Sequence, residues 1–142
     1  MSACALVVAT GLGLAWQRRN GRIAQVRGTG EGAAVSARPT AGSLTQDDLG
    51  AALGNRATLV QFSSAFCAPC RATRRILTDV AGMVDGVAHV EIDAESRLDL
   101  VRRLDVRRTP TTIVLDPDGQ VTHRASGQPR KADVIAALGP VI

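Results

Sequence analysis

Two cysteines separated by two residues, in Phe66-Cys67-Ala68-Pro69-Cys70-Arg71, are the residues of this chain whose type and spacing can do chemistry. At the start of a helix this spacing puts both sulfurs on one side of the first turn. A small disulfide ring closes there with acceptable geometry. A helix N-terminus also offers unpaired N–H groups and a partial positive charge, which favour a thiolate over a thiol at Cys67. Pro69 suits an early helical position, where its missing N–H costs nothing. Zinc sites use the same spacing, but the chain has no second CxxC and no nearby His cluster. One chain therefore cannot supply four zinc ligands. The third cysteine, Cys4, lies in an apolar stretch and reads as a small apolar residue, with lipidation as the alternative.

The elements around the pair must hold it. A strand-like run, Ala57-Thr58-Leu59-Val60-Gln61-Phe62-Ser63, leads into it. A helical run from Arg71 to Val84 leads out, with Ala72, Ile76, Leu77, Val80, Ala81 and Val84 as its apolar stripe. Arg71, Arg74 and Arg75 fall on another face. Upstream, Thr45 reads as an N-cap with Asp47 and Asp48 in the first turn, and Gly54 as a C-cap. Downstream, Val87–Asp93 alternates as a strand with Ala88, Val90 and Ile92 on one side, and Leu98, Val101 and Leu104 mark a helix. Val106 to Leu115 enters another strand, Asp116-Pro117-Asp118-Gly119 makes a hairpin turn, and Gln120 to Ser126 returns as its partner. His123 then falls on an edge strand, in solvent. A last helix, Lys131 to Leu138, turns Val134, Ile135 and Leu138 inward and stops at Gly139. This order defines an α/β class.

The chain carries 17 basic and 13 acidic residues, a net charge of +4. The excess sits in the first 42 residues, where Arg18, Arg19, Arg22, Arg27 and Arg38 face only Glu31. Residues 43–142 are formally neutral. Aromatic residues are few (Trp16, Phe62, Phe66, no Tyr), so platforms for stacking bases are missing. Nucleic acid is thus excluded as a partner. Ala3 to Trp16 is apolar apart from Thr10, shorter than the roughly 20 residues of a spanning helix. Basic residues follow this run instead of preceding it, and no small-residue cleavage site is present, so it reads as an uncleaved anchor and not as a signal peptide. Charge on that side places the rest of the chain in the cytoplasm. The organisation expected is a membrane anchor at 1–17, a basic, Gly- and Ala-rich tether at 18–42, and a folded domain at 43–142.

The stretch from Leu59 to Arg71, with the Thr109-Pro110 pair downstream, resembles the active-site segment of the thioredoxin family. The resemblance covers roughly residues 43 to 142. It implies a thioredoxin fold, a central mixed β-sheet flanked by helices, here preceded by a short transmembrane segment. It implies thiol–disulfide exchange that reduces protein disulfides, with Cys67 and Cys70 as the catalytic, disulfide-forming pair and with no cofactor or metal. It implies a cis peptide bond at Pro110 facing the cysteines, with Phe66, Ala68, Pro69, Thr109, Pro110 and Gly127 on the substrate face. The partners implied are disulfide-containing proteins and an electron donor, either thioredoxin reductase or a low-molecular-weight thiol.

The departures from the family are as informative. Its buried Asp is Gln61 here, which cannot titrate, and its partner lysine aligns with His89. Either His89 takes over proton transfer, with Gln61, or it is a hydrogen-bonded, partly buried histidine. The family tryptophans are Ser63 and Phe66. Other readings stay open at this point: an extracytoplasmic thiol oxidase or maturation factor, a non-catalytic binding module of the same fold, and a metal or cluster shared by two chains.

Overall fold

A computed structural model describes residues 13, 15, 21–25 and 42–142. Within them lie strands β1 (Ile23–Gln25), β2 (Ala57–Ser63), β3 (Val87–Asp93), β4 (Thr111–Leu115) and β5 (Val121–Ser126). The helices are α1 (Gln46–Leu49), α2 (Ala68–Met83), α3 (Leu98–Arg103) and α4 (Lys131–Leu138). The strands form one mixed sheet in the order β1-β5-β4-β2-β3. Strand β2 runs parallel to β3 and antiparallel to β4, and β5 is antiparallel to both β4 and β1.

Strand β2 is an interior strand, between β4 and β3, and all seven of its residues are buried. A strand covered on both faces needs apolar residues at both parities, and β2 has them. Val60 and Phe62 point into a core with Leu49, Ile92, Leu100, Ile113 and Leu115 on the α1 and α3 side. Ala57 and Leu59 point into a second core with Leu77, Val80, Val114, Val134 and Leu138 on the α2 and α4 side. Gln61 shares the parity of Leu59 and is a polar residue in that second face.

The α/β class, the mixed sheet and the helices on both faces match what the sequence implies, with differences in detail. Helix α1 ends at Gly50, whose φ of 66° gives a left-handed cap, four residues before Gly54. The buried stripe of α2 is Cys70, Thr73, Leu77 and Val80. Ala72, Ile76, Ala81 and Val84 flank that stripe and are only partly covered. In α4 it is Ala137, not Ile135, that packs inward, and Ile135 is exposed. The turn at Gly119 takes the expected positive φ, 78°.

The larger difference lies at the sheet edge. Residues 23–25, read from sequence as part of the tether, form β1 and pair with β5, Gln25 opposite His123. His123 is therefore buried and not at an edge. Burial pushes its pKa below the ordinary histidine value. The anchor expected at 1–17 and the rest of the tether lie outside the described residues, apart from Gly13, Ala15, Gly21, Arg22 and Gly42. No described helix is long and apolar enough to cross a membrane.

Asp48 ties α1 to α3. Its carboxylate accepts the backbone N–H of Thr45 at 2.8 Å in a capping box, and the Arg103 guanidinium lies 2.8 Å from the same oxygen. The Arg103 contact, opposed by partial burial and aided by Thr45, lowers the Asp48 pKa to about 2. A carboxyl depressed in the folded state contributes stability above its unfolded pKa, and that contribution is lost as pH falls through the folded value. Replacement Asp48→Asn should therefore cost about 1 kcal/mol near neutral pH and almost nothing at pH 2. Urea unfolding midpoints at the two pH values check this, and equal differences would refute it.

Candidate active site

Cys67 is the N-cap of α2, and Pro69 occupies its first turn. The pair is joined, with an S–S distance of 2.05 Å and a Cα–Cα distance of 5.2 Å. The Cys70 backbone N–H donates to Cys67 Sγ at 3.2 Å, so a helix-terminal donor already points at this sulfur. The two sulfurs sit in different surroundings. Cys67 is half-buried, whereas Cys70 is only 2% exposed. Phe66 precedes them with φ 58°, a left-handed conformation that side chains rarely adopt, and its ring is fully exposed. Backbone of this kind concentrates at functional sites.

A second segment faces the disulfide. The Thr109-Pro110 bond is cis, as the resemblance implies. The Gly127 N–H donates to the Pro110 carbonyl at 2.7 Å, and Gly127 has φ 91°, which favours glycine at that position. Ser64 and Thr109 share a hydroxyl–hydroxyl hydrogen bond of 2.7 Å, fastening the loop before the cysteines to the proline loop. Between these parts lies a recess of about 220 Å³ lined by Pro69, Arg108, Thr109, Pro110, Gly127 and Gln128. Sequence reading identifies Pro69, Thr109, Pro110 and Gly127 from this set. It misses Ser64, a lone serine with no motif, and Arg108, one of many arginines.

Beneath the disulfide, the strand registers place Glu91, Gln61, Thr112 and Ala125 in one row across the sheet. Gln61 spends both amide hydrogens, one on the Cys70 carbonyl at 2.8 Å and one on Ser63 Oγ at 2.9 Å. Its oxygen must then accept from His89 Nε2, 3.1 Å away. That fixes the His89 tautomer, with Nδ1 accepting from the Thr78 hydroxyl at 3.2 Å. Gln61 and His89 are thus brought together, and the chain of contacts ends on the Cys70 carbonyl oxygen. Beside it, Arg74 donates twice to Glu91, at 2.5 and 2.8 Å. This contact, helped by a hydrogen bond from Ser63, holds the Glu91 carboxyl below its ordinary range. Among the described residues no cluster of His, Cys, Asp or Glu could hold a metal ion.

Two further hydroxyls belong to this layer, and sequence reading misses both. Thr73 sits one turn beyond Cys70 on the buried stripe of α2, and Thr112 lies directly across from Gln61. They are 0% and 1% exposed, and neither hydroxyl has a hydrogen-bond partner among the described residues. Leaving a buried hydroxyl unpaired costs about 1–3 kcal/mol.

A central mixed sheet, a helix capped by one cysteine of a joined pair and a cis-proline loop facing that pair define a thiol–disulfide oxidoreductase. The thioredoxin family profile matches residues 42–139, and the chain belongs to the thioredoxin family. A thioredoxin of Mycoplasma pneumoniae is 30% identical over 81 residues, covering 57% of this chain and 78% of that protein. A thioredoxin of Staphylococcus epidermidis is 28% identical over 90 residues, covering 62% of this chain and 86% of that protein. Among solved structures, chloroplastic thioredoxin z superposes with a TM-score of 0.55 at 28% identity, covering 61% of this chain and 79% of that one.

Burial lowers the His89 pKa, opposed by the Glu91 charge and aided by Arg74. A histidine depressed in this way is neutral in the fold, so the unfolded chain binds more protons as pH falls. The His89 contribution to stability is complete above about pH 6.5 and weakens below it. The His89 ring should titrate below that value by NMR, and His89→Gln should flatten the slope of unfolding free energy between pH 5 and 7. A ring midpoint above the ordinary value would refute the assignment.

Proposed function

We propose that this chain reduces disulfide bonds in protein substrates, with Cys67 as nucleophile and Cys70 as the resolving thiol. The carrying observation is the asymmetry of the pair: Cys67 is partly exposed at a helix N-terminus, and Cys70 is almost fully covered behind it. In the reduced protein the Cys67 thiolate attacks a substrate disulfide. One substrate sulfur leaves as a thiolate and takes a proton, and a mixed disulfide forms. Cys70 then loses its proton and attacks Cys67 Sγ. This regenerates the protein disulfide and releases the second substrate thiol. The cis-proline recess supports the substrate end of this reading. The Thr109 backbone offers strand-like pairing to an extended substrate, with Pro110 and Gly127 shaping the floor and Phe66, Ala68 and Pro69 the rim.

The electron donor in this reading is a thioredoxin reductase or a low-molecular-weight thiol. The reading also keeps the N-terminal 17 residues as a membrane anchor, with the folded domain on the cytoplasmic side. The apolar run to Trp16 and the arginines after it support that arrangement.

Cys67→Ser should bring reduction of a disulfide-bonded protein such as insulin down to the uncatalysed rate. Cys70→Ser should accumulate a mixed disulfide visible on non-reducing gels. Full turnover by Cys67→Ser would sink the proposal.

A further inference from the structure

The unpartnered hydroxyls of Thr73 and Thr112 belong to buried residues next to Cys70 and to Gln61. Cys70 and Thr73 are three residues apart on one buried helix stripe, so they are neighbours on that face. Gln61, which holds the Cys70 carbonyl, is the cross-strand partner of Thr112. Cross-strand partners lie on the same sheet face. Both threonines are buried, and while the disulfide is closed neither hydroxyl has a partner among the described residues. The titratable and charged groups facing this layer are His89 and Glu91 on β3 and Arg74 on α2. All three have partners of their own: His89 bonds Gln61 and Thr78, and Arg74 bonds Glu91.

We propose that Thr73 and Thr112 are positioning residues for the resolving cysteine, their hydroxyls held for the Cys70 sulfur that appears when the disulfide opens. Opening adds two electrons and two protons, supplied by a reducing dithiol that is itself oxidised to a disulfide. The S–S bond breaks, and Cys70 becomes a nearly buried thiol or thiolate. A threonine hydroxyl donates to a thiolate and accepts from a thiol, so it serves both protonation states. Gln61 cannot titrate and ends on a carbonyl, so hydroxyl dipoles take the place of an acid–base group beneath the sulfur. The hydroxyls favour the reduced form, because they are unpaired in one redox state and paired in the other. This inference rests on the exchange cycle proposed above.

The test uses the full chain equilibrated with mixtures of reduced and oxidised dithiothreitol. The double variant Thr73→Val, Thr112→Val keeps side-chain shape and removes both hydroxyls. Its equilibrium should move about tenfold toward the disulfide, equivalent to about 30 mV more negative. The double variant Thr73→Ser, Thr112→Ser should stay near the wild type. The oxidised valine variant should unfold at a temperature no lower than the wild type, and the reduced one at a lower temperature. An unchanged potential in a folded valine variant, as a purely structural or water-bridged role would give, overturns the proposal and leaves the exchange cycle standing. A wild-type pair that does not equilibrate with dithiothreitol at all overturns both.

Discussion

The hydrogen bond from Gln61 to the Cys70 carbonyl joins strand β2 to the helix that carries both cysteines. Nothing else described between β2 and α2 is both polar and fully buried at each end. In a low-dielectric interior such a bond holds its two elements in one geometry, because breaking it leaves buried polar groups without partners. The carbonyl it uses belongs to the first turn of α2, so the bond sets how the sulfurs sit against the end of the sheet. The Ser64–Thr109 bond does the same for the opposing loop. Together they fix both sides of the recess in which an extended substrate would lie.

The two faces of the sheet do different work. The face toward α1 and α3 is apolar along β2 apart from Thr58, whose hydroxyl accepts from the Gly54 N–H at 2.9 Å, and Phe62 is its largest buried side chain. The face toward α2 and α4 changes character along its length. Around Ala57 and Leu59 it is apolar at its middle, with His89 and His123 at the two ends of the Leu59 row, and the row at Gln61 is polar from Glu91 through Thr112. The stripe of α2 changes in step: Leu77 and Val80 cover the apolar rows, and Cys70 and Thr73 extend the stripe to the polar end. The apolar rows supply burial, worth about 25 cal/mol per Å². The polar end gives some of that up for chemistry.

Much of this was legible in the sequence, for a physical reason. Strand β2 was legible because a strand covered on both faces is dense in apolar residues, and the edge strand β3 because it alternates. The ends of β3 and α4 were set by alternation and by a helical stripe. The cysteine pair and the Thr109-Pro110 pair were legible because few residues can do what those positions require. Strand β1 was not: three residues between glycines and arginines carry no period, and they become a strand only because β5 offers an open edge. The burial of His123 was lost with it. Thr73 was invisible because a threonine on a helix reads as surface. Thr112 was recoverable in principle, since it alternates with Val114 and so shares the face of Leu59.

The substitutions at Gln61 and His89 change the electrical character of the site without disturbing the fold. An amide in place of a buried carboxyl removes a charge that a low-dielectric interior resists. The neighbour adjusts accordingly, with a neutral histidine of fixed tautomer in place of a cation. The remaining charged pair, Arg74 and Glu91, lies toward the outer side of the layer, where Arg74 is half exposed and solvent screens it. The interior beneath Cys70 is therefore built from dipoles only: one amide, one imidazole and hydroxyls. A dipolar interior can respond to a thiol or a thiolate by rotating an O–H bond, without moving a proton through the core. Its influence on the disulfide should then vary little with pH near neutrality, and the pH response of exchange passes to Cys67, the sulfur that solvent and substrate can reach.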